Sequence, residues 1–363
     1  MPPSNALPTP TDLALQPPPV IVRPGRAYAS YARLWQGIPG IERADGGRLW
    51  ATWYSGGTGE GPHNFVVLYT SGDDGVTWDG PVLAIDPPGE VRAFDPCLWR
   101  DPSGRLWLFW AQSEGLYDGR AGVWCMAAEN PAEVHTAWSA PRRIANGIMM
   151  NKPTVLSTGE WLAPTAVWEY REPRLPALGA ERYSNVTVSA DAGRTWAPRG
   201  GADVPERQYD EHAVIERRDG TLWMLVRTAY GIGESVSADR GVTWSPGRPT
   251  DLGGPGSRFA IRRLRSGRLL LVNHYGFRRR DHLTAMLSDD DGQTWYGHLP
   301  IDARDQVSYP DLAQAEDGRV YCIYDRERSG AREILMAVFT EEDVAAGRPV
   351  SAGARLRVLV NKA

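Results

Sequence analysis

Cysteine is scarce in this chain: Cys97, Cys125 and Cys322 are the only three among 363 residues. Their odd number and wide separation argue against a disulfide framework, and no zinc-ligand spacing surrounds them. Free thiols of this kind suit a reducing compartment. Long apolar runs are also missing, and no stretch approaches the ~20 residues that a membrane-spanning helix needs. Basic residues are not in excess. Forty Lys and Arg face 44 Asp and Glu, for a net charge of −4, which is the wrong balance for a nucleic-acid partner. The densest basic stretch, "FRRRDH" at 277–282, holds only three arginines. The opening "MPPSNALPTPTDLALQPPP" has neither a charged n-region nor an apolar h-region. It reads as a Pro-rich arm over residues 1–25, leading into a single domain over 26–363. A cytoplasmic protein with no membrane partner is the expectation.

Tryptophan, glycine and proline are abundant, at 15, 39 and 29 residues. Together they point to strands joined by tight turns. One octapeptide recurs four times: "SGDDGVTW" (71–78), "SADAGRTW" (189–196), "SADRGVTW" (237–244) and "SDDDGQTW" (288–295). Its Asp and Gly suit a turn, its Ser and Thr suit local backbone bonding, and its Trp suits packing on a sheet. Repeated at equivalent outer positions, it cannot converge on one centre, so it reads as a structural clasp.

A second repeat runs through the whole chain. A turn glycine (Gly47, Gly104, Gly159, Gly220, Gly267, Gly318) precedes a short run rich in aliphatic or aromatic residues, as in "GRLWLFW" and "GTLWMLV". Six units of roughly 50 residues, each opening with a hairpin, match an all-β, six-bladed β-propeller. The innermost strand of each blade then lines a central channel, and its entry end faces a shared mouth. Counting back nine residues from the turn glycines reaches Asp95, Glu211, Arg258 and Tyr309. The first unit carries an extra Gly46 and yields Gly37, while the shorter third unit offers Asn151 or Lys152. Arginines beside carboxylates and a tyrosine suit chemistry on an acidic sugar. Guanidinium groups pair a carboxylate, a Tyr beside a Glu can act as a nucleophile, and a separate carboxylic acid can protonate the leaving oxygen.

The four octapeptides and the six-unit spacing resemble the sialidase superfamily of propellers, in which such turns are called Asp boxes. The resemblance spans nearly the whole chain. It implies that Tyr309 in "SYPDL" is the nucleophile and that Glu211 in "DEHAVIERRDGTLWMLVRT" takes its proton. It implies that Arg227, ending the same stretch, and Arg280 in "RRRDHLTAMLSDDDG", with Arg279 as its neighbour, grip the substrate carboxylate. It places Glu60 of "GGTGEGPHNF" at the general acid, one methylene longer than the family's Asp. The family's first arginine, in an Arg-Ile-Pro motif, is replaced here by Gly37 in Gly37-Ile38-Pro39. Arg258 or Lys152 could supply that charge from another blade, and Asp95 is a further substrate contact. The implied activity is a retaining exo-glycosidase releasing a terminal sialic or other ulosonic acid, without metal or organic cofactor. The implied partner is an acidic oligosaccharide or glycoside. A polysaccharide lyase or uronate-directed hydrolase, and a non-catalytic glycan-binding propeller, are the alternatives on the same scaffold.

Overall fold

The computed structural model describes residues 13–168 and 176–363. Six antiparallel sheets follow one another along the chain. Blade one comprises β1 (Val20–Val22), β2 (Gln36–Arg43), β3 (Leu49–Ser55), β4 (Phe65–Ser71) and β5 (Asp79–Ile85). Blade two comprises β6 (Val91–Arg100), β7 (Leu106–Glu114), β8 (Gly122–Ala128) and β9 (Arg142–Ala145). Blade three comprises β10 (Thr154–Val155), β11 (Trp161–Ala166), β12 (Ser184–Ser189) and β13 (Ala197–Ala202). Blade four comprises β14 (Ala213–Glu216), β15 (Leu222–Thr228), β16 (Gly231–Ser237) and β17 (Arg248–Pro249). Blade five comprises β18 (Ala260–Arg263), β19 (Leu269–Asn273), β20 (Leu283–Ser288) and β21 (Tyr296–Asp302). Blade six comprises β22 (Val307–Gln314), β23 (Val320–Arg326), β24 (Glu333–Phe339) and β25 (Arg355–Lys362). A short helix near the C-terminus, α1 (Glu341–Ala346), is capped by Thr340 and Asp343.

Each blade is a sequential meander, and β1 adds a fifth strand to the outer edge of blade one by pairing with β5. The N-terminal segment read as an arm through residue 25 therefore contributes a strand at Val20–Val22, while residues 1–12 lie outside the described residues. The inner strands meet around the axis: β2 packs on both β22 and β6. The apolar core is divided among the contacts between blades. Trp50, Leu68, Leu108 and Met126 join blades one and two, Leu162, Val186, Met224 and Val226 join three and four, and Trp53, Val67, Ile323 and Met336 close six onto one. A single blade would leave both faces in water, and the closed ring covers them.

The recurring octapeptides join the last two strands of blades one, three, four and five. In blade four, Ser237 Oγ donates to Asp239 Oδ1 at 2.8 Å and accepts from Gly241 N at 2.8 Å. Asp239 then accepts from Thr243 N at 2.8 Å and from Thr243 Oγ1 at 2.6 Å. Those two bonds hold the Asp239 carboxyl down at about 2. The turn glycine also touches the preceding blade. At Gly292, with φ +89, an added Cβ would sit 2.4 Å from the Trp223 ring. The octapeptide is a clasp within one blade and a contact between two.

Candidate functional site

Three inner strands carry the same irregularity. The pairing of β2 with β3 slips between Gly37 and Gly40, that of β6 with β7 between Phe94 and Cys97, and that of β22 with β23 between Ser308 and Asp311. Each slip is a β-bulge built on an X-Pro pair: Ile38-Pro39, Asp95-Pro96 and Tyr309-Pro310. The first residue of each pair has positive φ: +61, +48 and +58. Proline cannot donate to the ladder, so a bulge tolerates it. The extra residue re-aims the side chain before it. Left-handed backbone costs a non-glycine residue roughly 1–2 kcal/mol, and a β-branched Ile is an outlier there. All three re-aimed side chains line one cavity of about 280 Å³. By this register Ile38, not Gly37, is the blade-one equivalent of Asp95 and Tyr309.

At the centre of the cavity, Tyr309 donates its hydroxyl to Glu211 Oε1 at 2.6 Å. Arg227 Nη1 donates both to Glu211 Oε1 at 2.6 Å and to the Tyr309 hydroxyl at 2.9 Å. All three side chains are buried, at 4%, 2% and 5% exposure for Tyr309, Glu211 and Arg227. Glu211 reaches the axis from the turn before β14, and Arg227 from the end of β15. Burial and the Glu211 charge raise the Tyr309 hydroxyl to about 12, against the lowering effect of Arg227, Arg328 and Arg280. The phenol is therefore neutral at rest. Burial alone would lower the Arg227 guanidinium, but Glu211 and Tyr309 raise it above its ordinary value.

Two further guanidinium groups lie over the Tyr309 ring, Arg328 at 4.2 Å and Arg280 at 5.3 Å from its centroid. Arg328 Nε donates to Asp325 Oδ2 at 2.8 Å, and its Nη1 lies 3.3 Å from Glu60 Oε1. Glu60 is half-exposed in the loop between β3 and β4. Asp95 is buried across the cavity beside Arg92, whose guanidinium covers the Phe94 ring at 3.7 Å. Burial, with Glu60 and Glu211 adding to it, raises the Asp95 carboxyl to about 8 against the pull of Arg92. Asp95 thus holds a proton at neutral pH. Tyr54, Leu116, Met150, Trp168 and Tyr209 form the remaining wall.

The structure thus brings Tyr309, Glu211, Glu60, Arg227, Arg280 and Asp95 together in one cavity. It places Arg258 and Lys152 elsewhere, which corrects the expectation that one of them stands in beside Gly37. Arg258 precedes the short β18 without a bulge, and its buried guanidinium points down the axis to Asn151 Oδ1 at 3.0 Å and the Pro39 carbonyl at 3.3 Å. Lys152 lies deeper still. Its ammonium donates to the carbonyls of Ile41 and Leu98 and pairs with Asp311 at 3.1 Å and Glu42 at 3.3 Å. It lines a second cavity, of about 400 Å³, which includes Arg100, Glu216, Arg262 and Arg263 but none of the Tyr309 cluster. Sequence reasoning missed Arg92, Tyr209 and Arg328. Arg328 lies in the loop between β23 and β24, corresponding to the Glu60 loop of blade one. Loops between second and third strands share the mouth with the inner-strand entries, and that equivalence was the available signal. Among the described residues, no cluster of His, Cys, Asp and Glu is placed to hold a metal ion.

Residues 47–322 match the BNR repeat-like domain family, and the chain belongs to it. Solved structures share the propeller at low identity. A Hadza microbial sialidase superposes with a TM-score of 0.63 at 19% identity, covering 80% of this chain and 63% of its own length. A protein of unknown function from Dyadobacter fermentans gives 0.65 at 17% identity, covering 87% and 95%. A leech intramolecular trans-sialidase, complexed with 2,7-anhydro-Neu5Ac, gives 0.66 at 14% identity, covering 92% and 71%. The chain therefore spans less than two thirds of the microbial sialidase. No curated protein sequence matches it. The shared feature is a sialidase-like propeller fold. Among the described residues, no helix is long and apolar enough to cross a membrane.

Proposed function

We propose that the protein is a retaining exo-glycosidase that releases a terminal acidic sugar, a sialic or other ulosonic acid. The observation that carries this reading is the buried Tyr309–Glu211–Arg227 cluster, closed by three hydrogen bonds of 2.6 to 2.9 Å. A neutral phenol meets no like-charge repulsion from a sugar whose anomeric carbon bears a carboxylate, whereas a carboxylate nucleophile would. Glu211 lies within bonding distance to take the phenolic proton as the Tyr309 oxygen attacks the anomeric carbon. Arg227 and Arg280 hold the substrate carboxylate. Glu60 protonates the departing oxygen and regains a proton from the water that cleaves the tyrosyl–sugar bond, while Glu211 gives back to the Tyr309 oxygen the proton it took from the phenol. The half-exposed position of Glu60 at the rim suits a group that meets both leaving group and water.

The test is hydrolysis of aryl and alkyl glycosides of sialic, other ulosonic and uronic acids by the whole chain. One acidic glycoside should be cleaved with retention at the anomeric carbon. Tyr309→Phe should lose on the order of 10³-fold or more in kcat. Glu60→Gln should lose on the order of 10²-fold on the alkyl glycoside and less on the aryl one, whose better leaving group needs less protonation. An unsaturated, ultraviolet-absorbing product would replace this reading with elimination. Binding without turnover would replace it with a glycan-binding role.

A further inference from the structure

Residue 37, next to Ile38 of the cavity wall, is a glycine, and an arginine from the opposite end of the chain fills the space beside it. A Cβ at Gly37 would lie 2.7 Å from Arg328 Cδ, 2.8 Å from Cγ and 2.9 Å from Nε. No side chain fits at 37 while Arg328 keeps this path. The Arg328 head is fixed rather than solvated. Its Nε is bonded to the buried Asp325, and its Nη2 lies 3.3 Å from Ser308 Oγ. Asp325 is itself held by Ile38 N at 2.7 Å and Ser308 Oγ at 2.7 Å. Burial alone would lower the Arg328 guanidinium, but Asp325, Tyr309 and Glu60 raise it above its ordinary value, so it stays charged.

Three guanidinium groups thus surround Tyr309: Arg227 at its hydroxyl, Arg280 and Arg328 over its ring. Nε, Nη2 and Nη1 of Arg328 each give one N–H, to Asp325, Ser308 and Glu60 in turn, and one further N–H on each Nη remains for a carboxylate in the cavity that Arg328 lines. We infer that Arg328 is a specificity-determining residue of the site, binding the substrate's carboxylate together with Arg227 and Arg280. Gly37 is the residue that makes room for it. This rests on the acidic-sugar reading above, but concerns recognition and not bond cleavage. The charge absent at position 37 is supplied across the ring seam, from blade six.

Calorimetric binding separates the two questions. The probes are N-acetylneuraminic acid, 3-deoxy-octulosonic acid and galacturonic acid, each with its methyl ester, titrated into the whole chain. At least one free acid should bind, and its ester at least tenfold more weakly. Arg328→Ala should weaken the acid at least tenfold while changing the ester little, and Arg328→Lys should recover part of the loss. Gly37→Ala removes no charged group but pushes the Arg328 stem and Nε off their present path, and should weaken the acid selectively too, which covers the case that Arg328→Ala fails to fold. The inference is overturned if no acid binds, if acid and ester weaken equally, or if Arg328→Ala and Gly37→Ala both bind the acid like the parent. Failure of hydrolysis alongside Arg328-dependent acid binding would instead remove the catalytic reading and leave this one standing.

Discussion

At Asp95 a left-handed backbone, a buried carboxyl and a neighbouring arginine meet. The free carboxyl ionises near 3.8, but in the folded chain it keeps its proton up to about 8, mainly because of burial. Folding therefore takes up a proton between those two values. The stability this group contributes is fully present below the lower value and is lost as pH rises towards the upper one. Asp95→Asn cannot ionise. Compared with the parent by denaturant unfolding from pH 5 to 9, the variant should gain relative stability as pH rises, by at most about 1.4 kcal/mol per pH unit, and level off above pH 8. A difference independent of pH would mean that Asp95 is already ionised in the folded protein. Asp95 was legible as a cavity residue from its place before an apolar strand. Its protonation was not, because burial by Phe94, Tyr54 and the loops of other blades has no signature in neighbouring residues.

The element scale divides into turns, which sequence reads well, and bulges, which it reads poorly. The Asp-box turn is local, and its bonds run between residues two and four apart. Ser237 is its buried member at 1% exposure, and its hydroxyl satisfies the Gly241 amide. Ser237→Ala should lower unfolding free energy by about 1–3 kcal/mol, because a buried N–H loses its acceptor. Thr243→Val, on the exposed side of the same turn, should cost less than ~1 kcal/mol, and equal losses would contradict the burial argument. The three X-Pro bulges were visible as Ile38-Pro39, Asp95-Pro96 and Tyr309-Pro310, yet an X-Pro pair alone does not announce a re-aimed side chain. Counting residues back from a turn assumes regular alternation. Bulges break it in the inner strands of blades one, two and six, where they carry Asp95 and Tyr309 into the cavity, whereas β18 pairs with β19 without one and Arg258 lies outside it.

Across the whole molecule, the ring closes by side-chain packing between blades one and six rather than by an exchanged strand. Arg33, ahead of β2, reaches the last strand, donating to Asn361 Oδ1 at 2.9 Å and to the Tyr69 hydroxyl at 3.0 Å. Removing β25 would uncover the β24 edge and strip Arg33 of one of its partners. A chain ending at Ala354 should aggregate on size-exclusion chromatography and unfold at lower denaturant than the parent. A monomer of parental stability would show that closure does not depend on this strand.

By itself the sequence determined the six-unit repeat, the clasp turns and the Tyr309 and Glu211 positions, because turn chemistry and strand periodicity act over a few residues, while Arg227 followed from the resemblance to the sialidase superfamily. Tertiary structure alone decided that Lys152 and Arg258 point down the axis and that Arg328 lies beside Gly37. Arg328 is paired with Glu60 across 268 residues of chain. Such a contact exists only once the sixth blade packs on the first, and the aim of Asp95 and Tyr309 into the mouth is set by bulges whose register the neighbouring strands decide.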